Sequence, residues 1–223
     1  MIVVIPNHLP TLDFLKEWEE LKHCKIIVVQ DIGYKPEIPD GFDVKIYDHK
    51  DIEKDLGKNA WIIPSRTSAC RSYGYYKAYQ QGDEFIATLD NDCYPEEEKY
   101  WIEGHLENLN RLVTLDWESS VPDSKLETRG FPYLIRDKSP VGVSHGLWSN
   151  VPDFDGVDML KKPNWRFRRE TETKVIPRYS FYPMCGMNLA FIREMAPLMY
   201  FGLQGPSWGF DQYDDIFGGI FSK

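Results

Sequence analysis

Cysteine is scarce in this chain: four in 223 residues, Cys24, Cys70, Cys93 and Cys185, with no CxxC pair and no regular spacing. That argues against a disulfide framework and a cysteine zinc site, and reads as reduced thiols in a cytoplasmic compartment. Long apolar runs are missing too. Residues 1–6 and 26–29 fall far short of the ~20 residues that span a bilayer, so no membrane insertion is expected. No basic segment followed by an apolar stretch of signal-peptide length opens the chain. Positive charge is in deficit: 26 Lys and Arg face 35 Asp and Glu, a net charge of −9. A phosphate backbone is drawn to cationic surface, so no nucleic-acid partner is expected. GxxxxGK, GxGxxG and HExxH are all absent, which argues against a P-loop NTPase, a nicotinamide enzyme and a zinc protease.

What is present fits a globular α/β protein. Hydrophobic residues make up 42% and charged residues 27%, a mix that folds rather than staying disordered. A chain of this length buries roughly 70% of its unfolded surface, so one domain over 1–223 is expected without staples. Aromatic residues, at 14%, suit a core and equally a site that stacks on ring-shaped ligands. Strand-like runs at 2–5, 26–29, 44–47, 60–63 and 84–89 alternate with helical patterns at 11–22, 48–56 and 65–81. In the first of these helices Leu12, Leu15, Trp18 and Leu21 recur on one side. Strands joined by helices require crossovers, hence a mostly parallel sheet covered on both faces. Ligands of such sheets bind at the carboxyl ends of the strands, where Asp31 and Asp90-Asn91-Asp92 both fall. Beyond residue 94 the pattern weakens. Helices are read at 95–112, 192–200 and 212–221, and a strand at 112–116. Charge is divided: 83–107 holds nine acids against one Lys, and 161–178 holds seven Lys or Arg against two Glu.

Several groups carry chemistry. Asp90 and Asp92 lie two apart after an apolar strand, so they share one face of an extended chain. Two hard oxygen ligands so placed suit Mg2+ or Mn2+, which keeps waters and accepts diphosphate oxygens. The same triplet also suits a plain turn. Asp31 is placed to accept a base N–H or a ribose hydroxyl, or simply to open a turn before Gly33. Arg71 has three candidate roles: a bidentate phosphate partner, a partner of the acidic cluster, or a solvent-facing helix residue. Arg129 and Arg136 border a turn shaped by Gly130 and Pro132. His145, near Trp148, is either part of a site or structural. Met184-Cys185-Gly186-Met187-Asn188 suits a ligand wall or a core strand. Asp214 and Asp215 head the last helix pattern, where the helix dipole also favours acids.

Taken in order, Thr67-Ser68-Ala69-Cys70-Arg71, Asp90-Asn91-Asp92-Cys93, Arg129-Gly130-Phe131-Pro132, Val143-Ser144-His145-Gly146-Leu147-Trp148, the block from Phe181 to Phe191 and Tyr213-Asp214-Asp215 resemble the reversibly glycosylated polypeptides. That family includes the plant UDP-arabinopyranose mutases, and the resemblance runs over nearly the whole chain. It implies a GT-A-like nucleotide-diphospho-sugar fold, with 1–94 as nucleotide-binding half and 95–223 as sugar or acceptor half. It implies a UDP-sugar substrate, Mn2+ or Mg2+, and interconversion of UDP-arabinopyranose and UDP-arabinofuranose with reversible self-glycosylation on an arginine. By motif position that arginine is Arg129, and Arg136 matches a second one the family needs. Asp90 and Asp92 then hold the metal, Asp31, Arg71 and His145 serve the nucleotide-sugar, and Asp214 or Asp215 orients the sugar or acts as base. Two departures stand out. Asn91 occupies a position where the plant proteins carry aspartate, and no late His follows Tyr213-Asp214-Asp215. Two other functions stay open: a metal-dependent GT-A glycosyltransferase with a separate acceptor, and a non-catalytic nucleotide-sugar-binding partner subunit. A homo-oligomer is compatible with each.

Overall fold

The computed structural model describes residues 1–223 except 32, 34, 96–99, 115–128, 136–137, 151–154, 167–172, 178–179 and 212, and only the backbone of residues 135 and 214. Its first half is built as the apolar runs require. Ile2–Asn7 forms β1, Lys25–Gln30 forms β2 and Asp43–Tyr47 forms β3. Helix α1 (His49–Leu56) starts on a capping box, in which Asp48 and Asp51 each accept the other's backbone N–H. Helix α2 (Arg71–Gln81) ends at Gly82, whose φ of 81° is the left-handed turn that glycine supplies freely. It leads into β4 (Phe85–Leu89). The second half adds α3 (Trp101–Leu109), β5 (Leu112–Val113), β6 (Ser139–Pro140), β7 (Val143–His145), α4 (Gly156–Lys161), β8 (Asn188–Ile192) and α5 (Asp214–Phe221).

The main sheet has the order β3-β2-β1-β4-β8-β7. The first four strands are parallel, and β8 runs antiparallel to both β4 and β7. The sheet is mainly parallel and flanked by helices, the GT-A-like α/β architecture the sequence led us to expect. Register explains how the second half reaches the site. Leu89 pairs with Asn188, so the start of β8 lies at the carboxyl end of β4. The segment entering β8, residues 184–187, therefore arrives at the rim that carries Asp90.

Alternation splits the strands between two cores. Ile2, Val4, Ile27 and Val29 pack with Tyr73, Tyr75 and Ala78 of α2 and with Phe191 and Phe201. Val3, Ile5, Ile26 and Val28 pack with Leu12, Leu15, Trp18 and Leu21 on the other face. Gly74 lets α2 lie close to the sheet, because a Cβ there would sit 2.4 Å from Val4 Cγ1 and 3.0 Å from Val29 Cγ2.

Three expectations are corrected. Residues 11–22 do not form an α-helix but two 3-10 helices, Asp13–Glu17 and Glu19–His23. Residues 60–63 do not form a strand. Gly57–Ile62 is a 3-10 helix, and Ile62 C=O accepts from the Tyr200 hydroxyl at 2.6 Å instead of joining a ladder. The helix read at 192–200 is a 3-10 turn, Arg193–Leu198, with Pro197 inside it. Among the described residues no helix is long and apolar enough to cross a membrane.

Candidate active site

The acidic triplet leaves β4 on a closed turn. Cys93 N–H donates to Asp90 C=O at 3.2 Å, and the Trp18 indole donates to Cys93 C=O at 3.0 Å. The three side chains then diverge. Asp90 forms an ion pair with Arg71, Asn91 turns inward, and Asp92 is exposed.

Arg71 is only 2% exposed. Its Nε donates to Ser68 C=O at 3.1 Å, and its Nη1 to Thr88 Oγ1 at 3.2 Å and Gly186 C=O at 2.7 Å. Its Nη2 takes Asp90 Oδ1, and the guanidinium lies 5.8 Å from the Phe201 ring centre. Of its three candidate roles, the structure displays the pairing with the acidic cluster. Gly186 continues the connection: its N–H donates to Asp215 Oδ2 at 2.7 Å. One residue, Gly186, thus links Arg71 to Asp215 at the start of α5 through its C=O and its N–H. A Cβ at Gly186 would lie 3.3 Å from Arg71 Nη1 and 3.2 Å from Phe201.

Asp31 follows β2 and is likewise held by the protein, with its side chain 7% exposed. Its Oδ2 accepts from Thr67 N–H at 3.0 Å, and its Oδ1 lies 2.9 Å from His49 Nε2. The hydrogen bond to Asp31 raises the pKa of His49 above the usual imidazole value. Beside them a cleft is lined by Gln30, Gly33, Lys35, Ile46, Asp48 and Asp51, at the carboxyl ends of β2 and β3.

His145 closes β7. Its Nε2 accepts from Cys185 N–H at 3.2 Å, so Nδ1 carries the proton and donates to the Tyr182 hydroxyl at 2.6 Å. Burial pushes its pKa down to about 4. It therefore pins the segment that enters β8. Arg129 is exposed on a turn whose Gly130 has φ 98°, anchored by buried Phe131. Arg136 and the Asp214 side chain lie outside the described residues; Asp214 begins α5.

Metal ligands are few. Among the described residues no group of three or more His, Cys, Asp or Glu is assembled to hold an ion. Asp90, on Arg71, and Asp92, exposed, remain as the two carboxylates of the turn. Cys93 beside them offers no thiolate: burial first, then the two acids, push its pKa up to about 12. As hard oxygen donors they fit Mg2+ or Mn2+, which would draw its remaining ligands from water and diphosphate.

Some contributors escaped the sequence reading. Asn7 and Gln30 sit at the ends of β1 and β2, where residue type points to the neighbouring Asp31. Their signal was there: both apolar strands stop on a carboxamide. His49 acts through a contact with Asp31 that is distant in sequence, which spacing does not reveal.

A mainly parallel sheet with paired acids at its carboxyl rim defines a GT-A-like protein. The sequence profile described as "Reversibly glycosylated polypeptide" matches residues 1–223, and the chain belongs to that family. It is similar to probable UDP-arabinopyranose mutase 1 of Pisum sativum, 37% identical over 97% of this chain and 62% of the relative. It is also similar to UDP-arabinopyranose mutase 1 of Arabidopsis thaliana, 37% identical over 97% of this chain and 64% of the relative. The corresponding figures for UDP-arabinopyranose mutase 1 of Oryza sativa subsp. japonica are 35%, 97% and 62%. The chain thus spans under two thirds of the length of these curated relatives.

Proposed function

We propose that this chain carries the site of a UDP-sugar mutase that interconverts UDP-arabinopyranose and UDP-arabinofuranose. The observation that supports it best is the carboxyl rim itself, where Asp90 is set by Arg71 and Asp92 stands exposed, in a chain whose relatives bear that name. A divalent cation on Asp90 and Asp92 would neutralise the diphosphate and make UDP a better leaving group. The chain's own residues do the rest. Arg71 fixes Asp90, and Asp31 acts through what it holds, Thr67 and His49, beside the cleft that suits the nucleoside. The anomeric C–O bond breaks, with its electron pair leaving on the diphosphate. The sugar ring opens and re-closes through a different hydroxyl, one oxygen losing the proton that the other gains. The diphosphate then recaptures the anomeric carbon, so nothing is consumed. Asp214 or Asp215 orients the sugar or moves that proton, and Arg129, with Arg136, serves the reversible capture of sugar. The scarcity of cysteine, four in 223 residues with no CxxC pair, supports a cytoplasmic setting.

Incubation with Mn2+ and a panel of UDP-sugars tests this. Chromatography reports ring-form conversion, and intact mass reports covalent sugar that Arg129→Ala removes. Asp92→Ala should abolish both turnover and metal-dependent UDP binding; persistence of both removes the metal assignment. A second reading, transfer to a separate saccharide, is favoured by one feature. Trp61 and Trp208 are both exposed, with ring centres 6.5 Å apart and tilted by 37°. Such a pair suits stacking against a sugar ring, and it adjoins the loop in which Thr67 holds both Asp31 and Asp211. Turnover that requires an added acceptor would establish that reading instead.

A further inference from the structure

Three carboxamides meet under the acidic turn. Asn7 ends β1 and Gln30 ends β2, directly opposite one another in register. Asn91 reaches the other side of Asn7 from the turn after β4. All are buried, at 1%, 1% and 8% exposure. Asn7 Nδ2 donates to Gln30 Oε1 at 2.7 Å and to Leu9 C=O at 2.8 Å. Gln30 Nε2 also reaches Leu9 C=O, at 3.5 Å. Asn91 Nδ2 donates to Asn7 Oδ1 at 2.7 Å.

This row has a direction. A backbone carbonyl only accepts, so Leu9 fixes the amino end of Asn7. The oxygen of Asn7 must then face residue 91, and residue 91 must present a donor. We infer that Asn91 is a positioning residue: its bond to Asn7 anchors the middle of the triplet inward and so leaves Asp90 to meet Arg71 and Asp92 to face outward on either side of it. Asparagine at this position is the requirement of a hydrogen-bond row running from the ends of β2 and β1 to the turn after β4, and the residue is not a third metal ligand. An aspartate of the same shape would set acceptor against acceptor in a buried spot, where an unmatched polar group is costly. It would also place a third negative charge beside Asp90 and Asp92.

The part concerning metal rests on the proposed function; the row itself does not. The test therefore has two arms on Asn91→Asp, Asn91→Ala, Asn7→Ala and the Asn7→Ala/Asn91→Asp pair. In the first arm, manganese binding with UDP is followed by electron paramagnetic resonance. Asn91→Asp should weaken it by about tenfold to hundredfold, as loss of an outer support does. Tighter binding would make residue 91 a ligand and overturn the inference. In the second arm, melting is measured in chelator. Asn91→Asp should melt about 2–12 °C lower and fall below Asn91→Ala. In the Asn7→Ala background that difference should shrink, since the opposing acceptor is gone while the added charge beside Asp90 and Asp92 stays. An undiminished effect there, or none in either background, overturns the row. If these variants fail to fold, the wild-type side-chain amide protons of Asn7 and Asn91 decide, because bulk-like hydrogen exchange is incompatible with this row. If the wild type itself binds no manganese with UDP, the proposed function falls while the melting arm still judges the row.

Discussion

Arg71 offers the sharpest perturbation. Arg71→Met keeps the length of the side chain and removes every donor. Gly186 C=O loses its 2.7 Å partner, and Asp90 loses its cation. Removing one member of a buried charge pair costs about 3–5 kcal/mol. The Asp90 side chain is 27% exposed, so water offsets part of the loss, and about 3 kcal/mol is expected. For a chain of this size ~2–4 °C accompanies each kcal/mol, so melting should fall by roughly 6–12 °C. Arg71→Lys keeps the charge but not the fork that serves Asp90 and Gly186 together, and should recover only part of the loss. Melting by circular dichroism at neutral pH, at low and high salt, measures both variants. A buried pair is little screened, so high salt should leave the wild-type curve almost unmoved. A wild-type-like melt for Arg71→Met, or a wild-type loss of equal size in salt alone, would mean that Arg71 is solvated and does not hold the rim.

Two further outcomes follow from the geometry. His105 is buried, with Nε2 on Asn188 Oδ1 and Nδ1 on Ser144 Oγ, each at 2.9 Å, and burial pushes its pKa down to about 4. The unfolded chain takes up a proton below about 6.5 that the folded chain refuses, so stability should drop on the order of 3 kcal/mol as pH falls from 6.5 to 4. Denaturant titrations across that range should show a shallower fall for His105→Asn, with a residual slope from His145; an equally steep fall would refute the assignment. Gly219→Ala places a Cβ 2.3 Å from Tyr182 C=O and 2.8 Å from Met184 N, backbone that has no rotamer with which to yield. It should cost about 1–3 kcal/mol and shift α5, which carries Asp215; an unchanged melting curve would show that α5 is free to move.

The parallel strands were legible because a strand buried on both faces must be continuously apolar, as Ile2–Ile5 and Ile26–Val29 are. The acids at the carboxyl rim followed from the same logic. The run Leu12, Leu15, Trp18, Leu21 misled for a physical reason: a strict spacing of three is the 3-10 period, not the α-helical one. The bonds confirm it, with Leu15, Trp18, Leu21 and Cys24 each donating to the residue three before. Residues 60–63 look like a strand in composition, but strand identity belongs to the pairing, and no ladder receives them. Arg71 was undecidable from helix periodicity, since a cation on a buried face is tolerated only where acceptors from Thr88, Asp90 and Gly186 converge. Those acceptors come from β4 and from the entry to β8. The carboxamide row was hidden likewise, because two members look like ordinary strand ends and the third like a turn residue until β2, β1 and β4 are set side by side.

Gly74 lies three residues beyond Arg71 on α2 and touches no acid. Yet its bare Cα fixes the altitude at which that helix rides over the β-strands. The length of a guanidinium arm is constant, so how deeply it descends toward the rim is decided by this clearance. A methyl group there would lift the whole rod and withdraw the cation from its anchorage. The acidic edge is thus tuned from beneath, by a position whose contribution is the space it leaves empty.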